Sequence, residues 1–222
     1  MENKLSNYNK QLESIQELMI ENNHLDNVFG VNFKGCNFKN NIASGSYFQA
    51  GNGILARESQ FYVTPFCPSI ILLGQTCTNA IPSTFENLNF GIRASNYNAW
   101  SFTCSENKFI NNRYGIYVSE TDLERILKNT FEVRESASYQ SAGISLNNST
   151  SYTVQENKLY EFDNLAVTNG TAKSFGIVVN NSGEGSNEIY KNDFWKLTIG
   201  GQTERINGSL VPNQSTGLIQ GL

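Results

Sequence analysis

The chain has 222 residues, with 16 basic and 20 acidic side chains and a formal charge of −4, enough for one domain with a real core or for two small ones. Charged residues make up only 16% of it, against about 25% in an average globular chain, and asparagine fills the gap with 31 residues, or 14%. The 12% aromatic content excludes a disordered polar chain, the mild acidity argues against a nucleic-acid binder, and the longest apolar run, Ile70-Ile71-Leu72-Leu73, is too short to span a membrane.

Residues 1–23 read as a lead-in or cap. Leu12, Ile15, Leu18 and Met19 fall on one helical face, and a divergent first strand fits equally well. The first 22 residues lack the charged head, apolar middle and small-residue cleavage site of a signal peptide. The chain is therefore expected either to stay in the cytoplasm or to begin inside a longer protein. His24 is the one histidine and no CxxC pair occurs, so a zinc site has almost no ligands to draw on, and no cofactor is expected. Cys36 and Cys104 lie beside apolar positions and read as buried small hydrophobes. Cys67 and Cys77 sit ten apart in a segment carrying Pro65, Pro68 and Pro82. A loop-closing disulfide is expected there, which would imply an oxidising compartment; the alternative is two unlinked thiols.

Two short elements then recur. The first is an aromatic or small residue followed by Gly, apolar, variable, apolar: Phe90-Gly91-Ile92-Arg93-Ala94, Tyr114-Gly115-Ile116-Tyr117-Val118, Ala142-Gly143-Ile144-Ser145-Leu146 and Phe175-Gly176-Ile177-Val178-Val179, with weaker copies at Gly53 and Gly217. The second is Asn-x-Phe, usually with an apolar residue three before the asparagine, at Asn107, Asn129 and Asn192, with leucine for phenylalanine at Asn157-Lys158-Leu159 and degenerate copies at Cys36-Asn37-Phe38 and Ser83-Thr84-Phe85. The elements alternate strictly, and the spacing from each Gly to the next Asn is 16, 14, 14 and 16 residues. A short strand cannot bury its inner face alone, but stacked coils bury a continuous column. The pattern predicts an all-β parallel β-helix of about six to seven coils over 24–222. Ile92, Ile116, Ile144 and Ile177 would form one inner column and Phe85, Phe109, Phe131, Leu159 and Phe194 another. Asn107, Asn129, Asn157 and Asn192 fall at the corner between strands, where their amides form a ladder from coil to coil. A β-sandwich of short strands does not explain the constant partner spacing.

Gly-Ile-x-Val/Leu alternating with Ile-x-x-Asn-x-Phe resembles the right-handed parallel β-helix repeats of the pectate-lyase-like superfamily. Val31 to Phe38, Phe85 to Ser95, and Phe175 to Gly183 with Asn187 to Tyr190 are similar to large secreted β-helix proteins of Bacteroidota. Those proteins typically end in a type IX secretion sorting domain. The resemblance implies a secreted or cell-surface location, although this chain carries neither a signal peptide nor a sorting domain; a piece of a longer protein is the expectation.

Such folds can host polysaccharide lyases and hydrolases, whose chemistry needs converging carboxylates or calcium ligands with a basic group. On the Gly-Ile strands the outward columns read Arg93, Tyr117, Ser145, Val178 and Ser95, Ser119, Asn147, Asn180, without a carboxylate. Glu120, Asp122 and Glu124 share one turn and read as a solvated acidic corner. From the Asn-x-Phe aromatic to the following Gly the counts are 15, 6, 6, 12, 17 and 23, so insertions gather at one corner and lengthen toward the C-terminus. Their aromatic and amide side chains suit sugar rings, and Tyr47, Tyr139, Tyr160, Trp195, Gln202 and Arg205 are the candidate glycan-binding residues. A second insertion, Ser59 to Ser83, carries the cysteine pair as a clasp. The reading is a non-catalytic stalk, adhesin-like module or glycan-binding scaffold, with no catalytic residue and no metal. The partner would be a polysaccharide or glycan, and open coil ends would favour self-association. The alternatives are part of a polysaccharide lyase, hydrolase or epimerase, or a trimeric phage tail-spike module.

Overall fold

A computed structural model describes residues 24–41, 50–68, 77–97, 100–135, 140–162, 173–183 and 185–204. The expected lead-in over 1–23 and the weak repeat copy at Gly217 lie outside the described residues. Within them the chain winds in coils of three strands. The first coil is β1 (His24–Asp26), β2 (Phe29–Lys34) and β3 (Asn37–Lys39); the second is β4 (Asn52–Arg57), β5 (Gln60–Thr64) and β6 (Thr84–Glu86). The third is β7 (Phe90–Ser95), β8 (Thr103–Ser105) and β9 (Lys108–Asn112); the fourth is β10 (Tyr114–Ser119), β11 (Arg125–Leu127) and β12 (Thr130–Val133). The fifth is β13 (Ala142–Asn147), β14 (Thr153–Gln155) and β15 (Lys158–Glu161); the sixth is β16 (Phe175–Asn180), β17 (Glu188–Tyr190) and β18 (Asp193–Trp195). β19 (Ile199–Glu204) opens a seventh.

Corresponding strands of successive coils pair in parallel and build three walls. Sheet A takes β1, β4, β7, β10, β13, β16 and β19; sheet B takes β2, β5, β8, β11, β14 and β17; sheet C takes β3, β6, β9, β12, β15 and β18. This is the expected all-β parallel β-helix. One difference is that Ile-x-x-Asn-x-Phe holds two strands, not one: Ile126 belongs to β11 in sheet B, Phe131 to β12 in sheet C, and Asn129 turns the corner between them.

In-register stacking puts like residues over like. Ile54, Ile92, Ile116, Ile144 and Ile177 form one buried column of sheet A. On sheet C, Phe38, Phe85, Phe109 and Phe131 stack face to face with successive ring centroids 4.7 Å apart, the column passing on to Leu159 and Phe194. That distance is the strand spacing itself, so the rings are carried at contact distance by the backbone ladder.

Two tight features close the coil. The glycine preceding each inner isoleucine lies against a large apolar side chain of its own coil, phenylalanine for Gly53, Gly91, Gly115 and Gly176 and Leu159 for Gly143. A Cβ on Gly115 would come within 2.6 Å of both the Phe131 ring and the carbonyl oxygen of Gly143 on the next coil; one on Gly91 would meet Phe109 at 2.7 Å. This same-coil contact explains the near-constant Gly-to-Asn spacing. The corner between sheets B and C is two residues long in every described coil but the second. Its first residue is left-handed (Gly35, Glu106, Lys128, Glu156 and Lys191, φ between 52° and 62°) and its second is the ladder residue.

The ladder runs the height of the fold. The backbone N–H groups of Asn107, Asn129 and Asn157 donate to Oδ1 of Asn129, Asn157 and Asn192, at 3.0, 2.9 and 2.9 Å. In return, Nδ2 of Asn107, Asn129, Asn157 and Asn192 donates to the carbonyls of Val63, Cys104, Ile126 and Val154 on the preceding coil, at 2.8 to 2.9 Å. The degenerate copies join in: the Cys36 N–H donates to Ser83 Oγ, and the Ser83 N–H to Asn107 Oδ1. Cys104 is buried beside the ladder, and burial pushes its thiol up to about 12; Cys36 is half-buried, and its thiol is raised for the same reason.

The exceptional corner holds the clasp. Between β5 and β6 the chain leaves the coil, Cys67 and Cys77 are joined in a disulfide, and Phe66 and Ile81 exchange two 2.8 Å backbone hydrogen bonds in an antiparallel bridge.

Asn129→Ala orphans the Asn107 N–H and the Cys104 carbonyl and should cost about 1–3 kcal/mol in urea melts. Gly115→Ala, with a Cβ inside contact distance of backbone and ring, should cost a similar about 1–3 kcal/mol. Neutral behaviour of both would contradict the stacked register.

Candidate functional site

Each two-residue corner sets the direction of the side chains on the strand after it. Counting from the inward ladder asparagine, the residues at −1, +1 and +3 point outward. On coils four to six these are Lys128, Thr130, Glu132; Glu156, Lys158, Tyr160; and Lys191, Asp193, Trp195. The register places Thr130, Lys158 and Asp193 side by side, and likewise Glu132, Tyr160 and Trp195. Neighbouring ranks along a strand are about 6.7 Å apart and neighbouring coils about 4.8 Å apart, which makes a polar grid with an aromatic corner.

The contacts within it are those of a surface. The Tyr160 hydroxyl donates to Glu132 Oε1 at 3.1 Å. Trp195 is 67% exposed, with Lys196 Nζ 5.2 Å from its ring centroid. Lys128 and Lys191 approach the two oxygens of Glu156 at 3.8 and 3.9 Å. Lys128, Thr130, Glu156, Lys158, Lys191 and Asp193 line an open groove of about 460 Å³ beside the aromatic pair. Across the nine positions Lys128, Lys158 and Lys191 balance Glu132, Glu156 and Asp193, so the grid is electrically neutral while rich in donors and acceptors. Such a surface can stack a sugar ring on Trp195 and hydrogen-bond its hydroxyls from the flanking ranks.

Of the six candidate residues, the structure brings together Tyr160 and Trp195. They sit on strands β15 and β18 rather than in loops, because the two-residue corner runs straight into the Asn-x-Phe strand and leaves no insertion there. Gln202 lies on sheet A, in register with Val178, and donates to Glu204. It is therefore on another wall. Tyr47, Tyr139 and Arg205 lie outside the described residues.

The predicted lengthening of loops toward the C-terminus is corrected. Gly200 in β19, six residues after Phe194, takes the repeat position expected for Gly217. The counts from aromatic to glycine thus end 12, 17 and 6. Sheet A's outward columns follow the expected order, but the second ends in a carboxylate, Glu204, beside Asn180. Its wall is also covered by apolar groups. Phe90, Tyr114, Ala142, Phe175 and Val178 form a second buried cluster, and Arg93 stands 5.2 Å over the Phe90 ring.

The acidic turn is corrected as well. Asp122 accepts a hydrogen bond from Thr150 Oγ1 at 3.0 Å, but Glu124 is fully buried instead of solvated, while its neighbour Leu123 is 53% exposed. Strand alternation is the reason: Ile126 points inward and Arg125 outward, which assigns position 124 to the interior.

Among the described residues, no group of three or more His, Cys, Asp or Glu side chains is placed to hold a metal ion. Comparison with protein-family models, curated proteins and solved structures returned no match to this chain. Of the grid residues, Glu156 is legible in the sequence only as one carboxylate on a separate rung, and Lys128, Glu132, Lys158, Lys191 and Asp193 carry no signal on the Gly-Ile strands. The same period-two count from each corner asparagine finds them.

The charge pairs of the grid are solvent-screened and partly exposed, so Glu156→Gln should change stability by less than about 1 kcal/mol in urea melts. A loss above about 2 kcal/mol would mean that the rank is structural and not a free surface.

Proposed function

We propose that this chain is a non-catalytic β-helix segment of a secreted or cell-surface protein, acting as a glycan-binding scaffold through the outer face of sheet C. The observation that carries this reading is the exposed Trp195 ring beside Tyr160, flanked by two ranks of donors and acceptors in a nine-position grid whose charges sum to zero. A neutral grid favours an uncharged polysaccharide over a polyanion, which would meet Glu132, Glu156 and Asp193 as well as the lysines. Repetition of the ranks every coil suits a polymer lying along the solenoid axis, since successive sugars can meet equivalent positions. The Cys67–Cys77 disulfide supports an oxidising compartment, in line with secretion. Kinship with the pectate-lyase-like β-helices and with large secreted proteins of Bacteroidota belongs to the same reading, carried by the Gly-Ile and Asn-x-Phe repeats.

A glycan array probed with the intact chain, with and without calcium, tests it. Binding to a neutral glycan without calcium and without new reducing ends is expected. Trp195→Ala should weaken that binding about tenfold, the range of one lost aromatic stack, and leave the melting transition unchanged. Undiminished binding by Trp195→Ala, or turnover of the glycan, would contradict the proposal.

A further inference from the structure

The interior of sheet B's leading edge holds a column of aromatic residues interrupted by one acid and ending in an amide. Register places Phe61 and Phe102 below Glu124, and Tyr152 and Asn187 above it. The two phenylalanines stack at 4.9 Å, and Tyr152 is buried. Glu124 itself is 0% exposed, and neither of its carboxyl oxygens has a hydrogen-bond partner on another residue. Among the described residues, the groups facing it are few. Phe102 on the coil below is uncharged, Tyr152 on the coil above is ionisable, and Asp122 on its own turn is acidic; the neighbouring Arg125 points outward and is exposed. An ionised carboxylate here would be sealed from the surface and would face no basic side chain among the described residues, which costs far more than holding the acid neutral.

We propose that Glu124 is a proton-dependent latch in the middle of the solenoid: packed as a neutral acid it lets coils three to five close on one another, and its ionisation loosens the corner between β10 and β11. The step breaks the carboxyl O–H bond, leaves its electron pair on oxygen and passes the proton to solvent, and no other covalent bond changes. The corner is suited to opening. Leu123 is held there in a left-handed conformation (φ 66°) with its side chain in solvent. The corner's pairing with its neighbours rests on backbone bonds from Leu123 to Thr150, Arg125 to Phe102 and Thr153 to Glu124.

Burial pushes the Glu124 carboxyl up to about 8 from its ordinary 4.5, with the charge of Asp122 adding to the rise. A group whose folded-state value lies above its unfolded one contributes stability that is full below about pH 4.5 and is lost as pH rises to about 8. Glu124 alone then raises the unfolding constant by up to about tenfold per pH unit across that window.

The test compares the pH dependence of urea unfolding for the whole chain and for Glu124→Gln, which keeps the shape and removes the charge. The two should coincide at pH 4 and diverge steadily, until near pH 8 the wild type unfolds with a constant about three orders of magnitude larger. Amide exchange at Leu123, Arg125 and Thr153, corrected for its intrinsic pH dependence, should accelerate with pH in the wild type only. Parallel profiles would overturn the proposal. If the variant fails to fold, carbon-13 titration of labelled glutamate in the wild type decides. One carboxyl titrating near pH 8 supports the latch, and titration of all glutamates in the ordinary carboxylate range overturns it.

Discussion

A chain that turns a right corner in two residues leaves backbone groups facing inward with no strand to pair them. In this protein the corner between sheets B and C does so on nearly every coil, and each time the first corner residue is left-handed. Such a conformation costs about 1–2 kcal/mol for a residue other than glycine. The buried asparagine amide offsets that cost. It donates to a carbonyl on the preceding coil and accepts that coil's ladder N–H, so each corner is completed by its neighbour and by nothing within itself. A single coil is therefore unfinished, and the stability of the fold resides in the stack.

The remaining architecture depends on holding that corner short. With sheets B and C locked two residues apart, the Asn-x-Phe aromatic is delivered to one place in the interior, and only glycine allows the returning chain to pass it there. Slack in chain length is left to the turn from sheet C back to sheet A, where the longest insertions gather, to the corner between sheets A and B, which runs from two to seven residues, and to the one long corner between sheets B and C, which the Cys67–Cys77 disulfide closes. The outward ranks of sheet C inherit this regularity. Because each begins one residue before a fixed asparagine, charged, polar and aromatic side chains come into register without any contact designed among them, and the surface proposed to meet a glycan is a by-product of the corner.

Much of this was legible because the repeat is enforced by contacts within one coil. The Gly-to-Asn spacing, the isoleucine and phenylalanine columns and the ladder from Asn107 to Asn192 all express local sterics that recur. The third wall was missed because β8, β11, β14 and β17 are three residues long, too short to show an alternation of their own. Glu124 was misread because its turn carries Glu120 and Asp122, and composition suggested solvent; only the register of Ile126 with its neighbours shows that position 124 faces inward. Gly200 was passed over in favour of Gly217 because Gly201 and Thr203 stand where other coils carry the inner isoleucine and the next inner aliphatic. Tyr160 and Trp195 were picked for their chemistry, and their adjacency emerged from strand pairing that no local pattern encodes.

The central claim is that each coil's corner is completed by the asparagine of the next. Amide hydrogen exchange in Asn157→Ala tests it most directly, since the Asn129 N–H donates to Asn157 Oδ1 while the Asn107 N–H donates to Asn129. The account predicts a selective loss of protection at the Asn129 amide, with the Asn107 amide still protected. Equal protection at both amides, or a uniform loss across the chain, would contradict it.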